Sequence, residues 1–132
     1  MHEDTPITRL VDQFIVEQID TVPHLEALLL FWEKRPKTWS QREIAAALFV
    51  PTELAGKILG DLVERNLVTV LPENQGFQYF SRTTEQDNLV ASVAATYRRE
   101  LVRISRMIHA KAPASIRDFA RAFRFTKEKE KE

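Results

Sequence analysis

Residues 38–70 read TWSQREIAAALFVPTELAGKILGDLVERNLVTV, and this stretch decides the fold. Ser40-Gln41-Arg42-Glu43 is a capping box, in which a serine and a glutamate three residues on satisfy each other's backbone N–H groups. Trp39 just before the cap and Ile44 beyond it have the spacing of a hydrophobic staple. A short helix through Leu48 is therefore predicted, and Phe49-Val50-Pro51 follows as a tight turn. The next helix begins at Pro51 or Thr52 and runs to Arg65, with Leu54, Ile58, Leu62 and Val63 as its apolar seam. Asn66 stands where a left-handed residue ends a helix. Leu67 to Leu71 is rich in β-branched residues, Pro72 to Gly76 is turn chemistry, and Phe77 to Phe80 alternates as a return strand.

Upstream, two helices are predicted. Thr5 caps the first and Pro6 suits its first position, and Ile7, Leu10, Val11, Phe14 and Ile15 recur at helical spacing as far as Ile19. Thr21 caps the second, whose Leu25, Leu28, Leu29 and Trp32 fall at i, i+3, i+4 and i+7. Pro36 ends it by biasing Arg35 away from helical geometry. Downstream, Thr84 to Ala110 reads as one long helix, opened by Thr84 with Asp87. Its seam of Val90, Val93, Tyr97, Leu101, Ile104 and Ile108 resembles a coiled-coil stripe. Pro113 breaks the run, and Ser115 with Asp118 opens a last short helix carrying Ile116, Phe119, Ala120 and Phe123.

The chain of 132 residues, 44% hydrophobic, suits one compact domain with helical extensions. The expected divisions are an N-terminal helix over 1–20, a central domain over 21–82, a long amphipathic helix over 83–112, and a short basic helix with charged tail over 113–132. No apolar run approaches the ~20 residues of a membrane span, and MHEDTPITRL lacks the basic start of a secretory signal. A soluble cytoplasmic protein is the expectation. Without cysteine there is no disulfide, thiolate ligand or thiol nucleophile. The formal net charge is zero, but it is unevenly placed. Residues 1–30 carry one Arg against six acids, whereas residues 91–132 carry eleven basic groups against five acidic ones.

Helix, short strand, capped short helix, turn, helix, hairpin is the order of a winged helix-turn-helix. Two short helices meet steeply across a turn, a third covers their apolar faces, and the hairpin closes the open edge. On these residues the centre of the chain resembles bacterial winged helix-turn-helix regulators of the broad MarR-like and ArsR-like kind. It is more similar still to a set of uncharacterised bacterial winged-helix proteins that share the IDTVPHLEALLLFW pattern of Ile19 to Trp32 and the SIRDFARAFRF pattern of Ser115 to Phe125. The resemblance implies a mainly α fold with a small β-wing. It implies a winged helix-turn-helix core, an added N-terminal helix and long C-terminal helices. DNA-binding transcriptional regulation by a homodimer follows as the expected function, with no catalytic residue, no metal and no cofactor.

Candidate DNA contacts are Arg42, Thr52, Glu53, Gly56, Lys57, Asn74, Gln75 and Arg82. Thr52 to Lys57 would face the major groove, with residues 72–76 alongside. The outward face of the 52–65 helix also carries Gly60, Asp61 and Glu64, one cation against three acids. That balance favours the alternative, a winged-helix module that binds a protein rather than DNA. Lys34, Arg35, Lys37, Arg42 and Arg82 would hold phosphates from the flanks or simply be solvated. Gly56 and Gly60 would allow a close backbone approach or close helix packing. Arg99, Arg103 and Arg106, with Arg117, Arg121 and Arg124, recur at i, i+4 and i+7. They form either a basic surface for an anionic partner or a set of partners for the acidic N-terminal segment. The 90–108 stripe is either a dimer seam or a cover for Leu10 and Phe14. His2, His24 and His109 show no metal-ligand spacing.

Overall fold

The computed structural model describes residues 5–111. The first helix, α1, spans Pro6–Gln18, and the Thr5 hydroxyl accepts from the Thr8 N–H at 3.2 Å. The second, α2, spans Val22–Lys34, and Thr21 caps it in the same way through His24. It is the centre of the molecule, for Leu25, Leu28 and Phe31 are wholly buried. α3 (Gln41–Leu48) opens on the capping box. Ser40 Oγ accepts from the Glu43 N–H at 3.0 Å, and Glu43 Oε1 from the Ser40 N–H at 2.8 Å. The backbone bond from Ser40, partly opposed by desolvation, holds the Glu43 carboxyl below its ordinary pKa. Trp39 and Ile44 are both buried beside this cap.

α4 spans Thr52–Glu64. Asn66 takes the left-handed conformation after it, at φ 62°. The Asn66 N–H bonds to the Val63 carbonyl and the Leu67 N–H to the Leu62 carbonyl, which is a Schellman ending. α3 ends in the same pattern. The Phe49 N–H reaches Ala46, the Val50 N–H reaches Ala45, and Phe49 itself is left-handed at φ 56°. The sheet is a two-stranded antiparallel hairpin of β1 (Val68–Val70) and β2 (Phe77–Tyr79), with Val68 opposite Tyr79 and Val70 opposite Phe77. Trp39 adds a one-residue bridge to Phe77 through two 2.8 Å bonds. Gly76 sits at φ 103°, and a Cβ there would lie 2.7 Å from the Trp39 carbonyl oxygen, so this turn requires glycine.

The long C-terminal helix expected over 84–110 is two helices. α5 spans Thr84–Arg99 and α6 spans Leu101–Lys111, and they are separated by Glu100 at φ −127°, ψ 45°. No glycine or proline marks the break. It turns α6 back against α1, α2 and α5, where Ile104 and Ile108 are fully buried. Tyr79 Oη donates to Asp87 at 2.8 Å and fastens the hairpin to α5. Burial, reinforced by that carboxylate, raises the Tyr79 pKa. The described chain is thus mainly helical with one small antiparallel sheet around a single core. None of its helices is long and apolar enough to cross a membrane.

Candidate functional site

Every sequence-derived candidate on α3, α4 and the hairpin lies at the surface. Arg42, Thr52, Glu53, Lys57, Asn74, Gln75 and Arg82 are exposed, and Gly56 is half-buried. Gln41 Nε2 donates to the Thr52 carbonyl at 2.8 Å, clamping the first turn of α3 to that of α4. Gly56 leaves room for this clamp, since a Cβ there would sit 2.6 Å from the Gln41 amide nitrogen. Gly60, by contrast, faces open space, so packing does not account for it. α4 starts on Pro51 with no side-chain cap, which leaves its first N–H groups without a side-chain acceptor. Leu54, expected in the apolar seam, is 39% exposed, because the seam turns toward the core only from Ala55 onward.

The charge on this face is mixed. Glu53 and Glu64 are exposed, and Lys57 Nζ lies 3.3 Å from Asp61. Exposed cations crowd the connection between α2 and α3 instead, where Lys34, Arg35, Lys37 and Arg42 fall within nine residues. The Arg35 guanidinium stacks 3.5 Å from the Trp32 ring centre and Lys37 Nζ lies 4.0 Å from that of Trp39. Aromatic faces therefore hold two of these cations in place. Arg82 extends toward Asn66 Oδ1 at 3.4 Å.

Asp61 does not belong to the exposed face. It is half-buried and accepts from Nε2 of His24, a fully internal imidazole, at 2.8 Å. A carboxylate only accepts, so Nε2 carries the proton in this bond, and Nδ1 is hydrogen-bonded to the Thr21 hydroxyl at 2.6 Å. Partial burial works against the Asp61 carboxylate, but hydrogen bonds from His24 and Lys57 outweigh it and hold its pKa below the ordinary value. Asp20 lies on the other side, held by Arg65 Nη2 at 3.0 Å. Asp20, His24 and Asp61 bring their donor atoms within 4.8 Å of one another, a set chemically able to ligate a metal. Each carboxylate already faces a cation, so the cluster works as a polar tie between α2 and α4. Sequence spacing missed it because His24 and Asp61 are 37 positions apart. The one local signal was a histidine inside an apolar helix face.

The basic stripe divides. Arg103 bonds to Asp12 of α1 at 3.1 Å and to Glu100 at 2.6 Å, so it pairs with the acidic N-terminal helix. Arg99 and Arg106 are exposed and form no ion pair with another described residue. Arg117, Arg121 and Arg124 lie outside the described residues. The dimer seam is corrected. Val90, Val93, Ile104 and Ile108 are wholly buried and Tyr97 nearly so within a single chain, and only Leu101 remains half-exposed. The break at Glu100 is the reason, since it folds the second half of the stripe into the monomer's own core.

Two apolar grooves flank the core. One, of about 680 Å³, lies along Ile7, Leu10, Phe14 and Leu89. Another, of about 410 Å³, lies between α2, the α3–α4 turn and the end of α5. Phe49 stands at its edge and is 94% exposed.

No protein-family model matches the chain. No curated relative matches it in sequence. Among solved structures, a crystal structure of RV1404 from Mycobacterium tuberculosis is similar at 21% identity, covering 96% of this chain and 85% of that one with a TM-score of 0.48. The geometry of the described residues by itself defines a small, mainly helical domain with a two-stranded hairpin.

Proposed function

We propose that the chain is a winged helix-turn-helix protein that binds duplex DNA, as transcriptional regulators of that architecture do. The observation that carries this reading is the juxtaposition around the α3–α4 unit. Four exposed cations sit at its entrance, and α4 begins without a side-chain cap. Phosphate oxygens suit both features: cations neutralise them, and open helix N-terminal N–H groups donate to them. In this reading Thr52, Glu53 and Lys57 face the major groove. Lys34, Arg35, Lys37 and Arg42 hold the backbone, and Asn74 and Gln75 lie alongside.

A second reading is favoured by the acidic outer surface of α4 and by the exposed Phe49. In it the same fold is an adaptor that contacts protein rather than DNA. Fluorescence anisotropy on random duplex across a salt series separates the two. A DNA reader binds and weakens steeply with salt, and removing one phosphate contact with Arg42→Glu lowers the log–log salt slope by about 1. Absence of binding at ~50 mM salt, where non-specific contacts are strong, would leave the adaptor reading standing.

A further inference from the structure

Phe49 is out of place for a residue that serves only the fold. It occupies the left-handed position that ends α3, at φ 56°, where glycine or asparagine is the ordinary choice. A bulky residue there is strained locally. Its ring recovers nothing by burial, since it is 94% exposed. It lies at the rim of the 410 Å³ groove, whose floor is Leu29, Leu30 and Leu48. The charged rim is Glu26 and Glu33 with one arginine, Arg98, bonded to Glu33. Glu26 and Glu33 stand seven residues apart on α2, two turns or ~10 Å along one side of the helix.

We infer that this groove receives residues 115–125 of the same chain. That segment, SIRDFARAFRF, places Ile116, Phe119, Ala120 and Phe123 at i, i+3, i+4 and i+7, the spacing of an amphipathic helix for an apolar groove. Arg117 and Arg124 are also seven residues apart, so their spacing as a helix matches that of Glu26 and Glu33. The chain leaves the groove at Arg98, and the described residues end at Lys111 after one eleven-residue helix. That helix is ~16 Å long, and a return segment of ten helical residues spans ~15 Å. Residues 112–115, with Pro113, leave four positions for a turn between them. The groove along α1 fits this occupant less well, because its lining carries one acid, Glu85, for one cation, Arg65, whereas the α2 groove carries two acids for one arginine. The inference does not depend on DNA binding.

Because the protein has no cysteine, the full chain carrying Ala47→Cys and Ala120→Cys tests the contact directly. Mild oxidation at low micromolar concentration is expected to give an intrachain disulfide. A disulfide between two chains would overturn the inference in favour of a second copy's segment. Failure to crosslink, or equal crosslinking of Leu10→Cys with Ala120→Cys, would overturn it also. Hydrogen exchange of the full chain provides the independent arm. Glu26→Arg with Glu33→Arg is expected to reduce protection of residues 115–125 about fivefold, as two exposed ion pairs allow. Adding Arg117→Glu and Arg124→Glu is expected to restore it. Unchanged protection in the first variant, or no restoration in the second, sinks the inference.

Discussion

At the scale of single residues, the three glycines and Phe49 show how position alone sets the value of a side chain. Gly60 is in a helix and faces open space. Gly60→Ala should therefore stabilise the fold by about 1 kcal/mol, as helix propensity requires. Urea denaturation checks this, and an unchanged or lowered midpoint would mean that Gly60 serves a contact outside the chain. Gly76→Ala should do the opposite. It places a Cβ against the Trp39 carbonyl at a backbone angle that L-residues avoid. The loss should be about 1–3 kcal/mol. Phe49→Gly should raise the stability of the described core by roughly 1 kcal/mol through relief of the left-handed strain. If the variant is instead strongly destabilised, the ring is part of the core packing.

At the scale of elements, the tie between α2 and α4 is the most informative contact. His24 is buried with both ring nitrogens bonded, one to Thr21 and one to Asp61. Asp61→Ala leaves the Nε2–H without its acceptor, and a loss of about 1–3 kcal/mol is expected for such an orphaned group. The Asp61 carboxyl has a lowered pKa in the folded state. Its contribution to stability is therefore full above the unfolded-state value, about 3.9, and is lost as pH falls through the folded value. Urea midpoints at pH 7 and pH 3 should fall more steeply for the natural chain than for Asp61→Asn. Equal slopes would show that the tie carries no net charge stabilisation. The element boundaries themselves were largely legible. Thr5, Thr21 and Ser40 cap the helices where their side chains said they would. The break at Glu100 was not legible, because no residue there forbids a helix and only the gain from burying Ile104 and Ile108 bends it.

At the scale of the whole molecule, the two halves of the charge imbalance meet in part. Arg103 of α6 reaches Asp12 of α1, joining the basic and acidic ends of the chain across 91 positions. The same fold-back turns a stripe that reads as a dimer seam into interior. Ile104→Ala should thus cost about 2–5 kcal/mol, as truncation in a packed core does. The mass by light scattering should not change below the unfolding transition. A variant that keeps its stability but changes its mass would return the stripe to an interface role.

The sequence by itself determined much of the local structure: the caps at Thr5, Thr21 and Ser40, the left-handed ending at Asn66, and the turns at 49–51 and 72–76, whereas α5 is capped by Thr83 and not by the expected Thr84. These follow from chemistry within a few residues, where one hydroxyl or one missing Cβ decides the backbone. The candidate surface on α4 was also legible, since polar residues at helical spacing mark an outward face. Asp61 and Leu54 were assigned to the wrong sides of that helix. Only the tertiary structure decided that His24 and Asp61 meet, that Phe49 is bare, and that the 90–108 stripe is core. Each of these depends on where a distant element lies, and helical periodicity specifies which residues share a face but not what covers it.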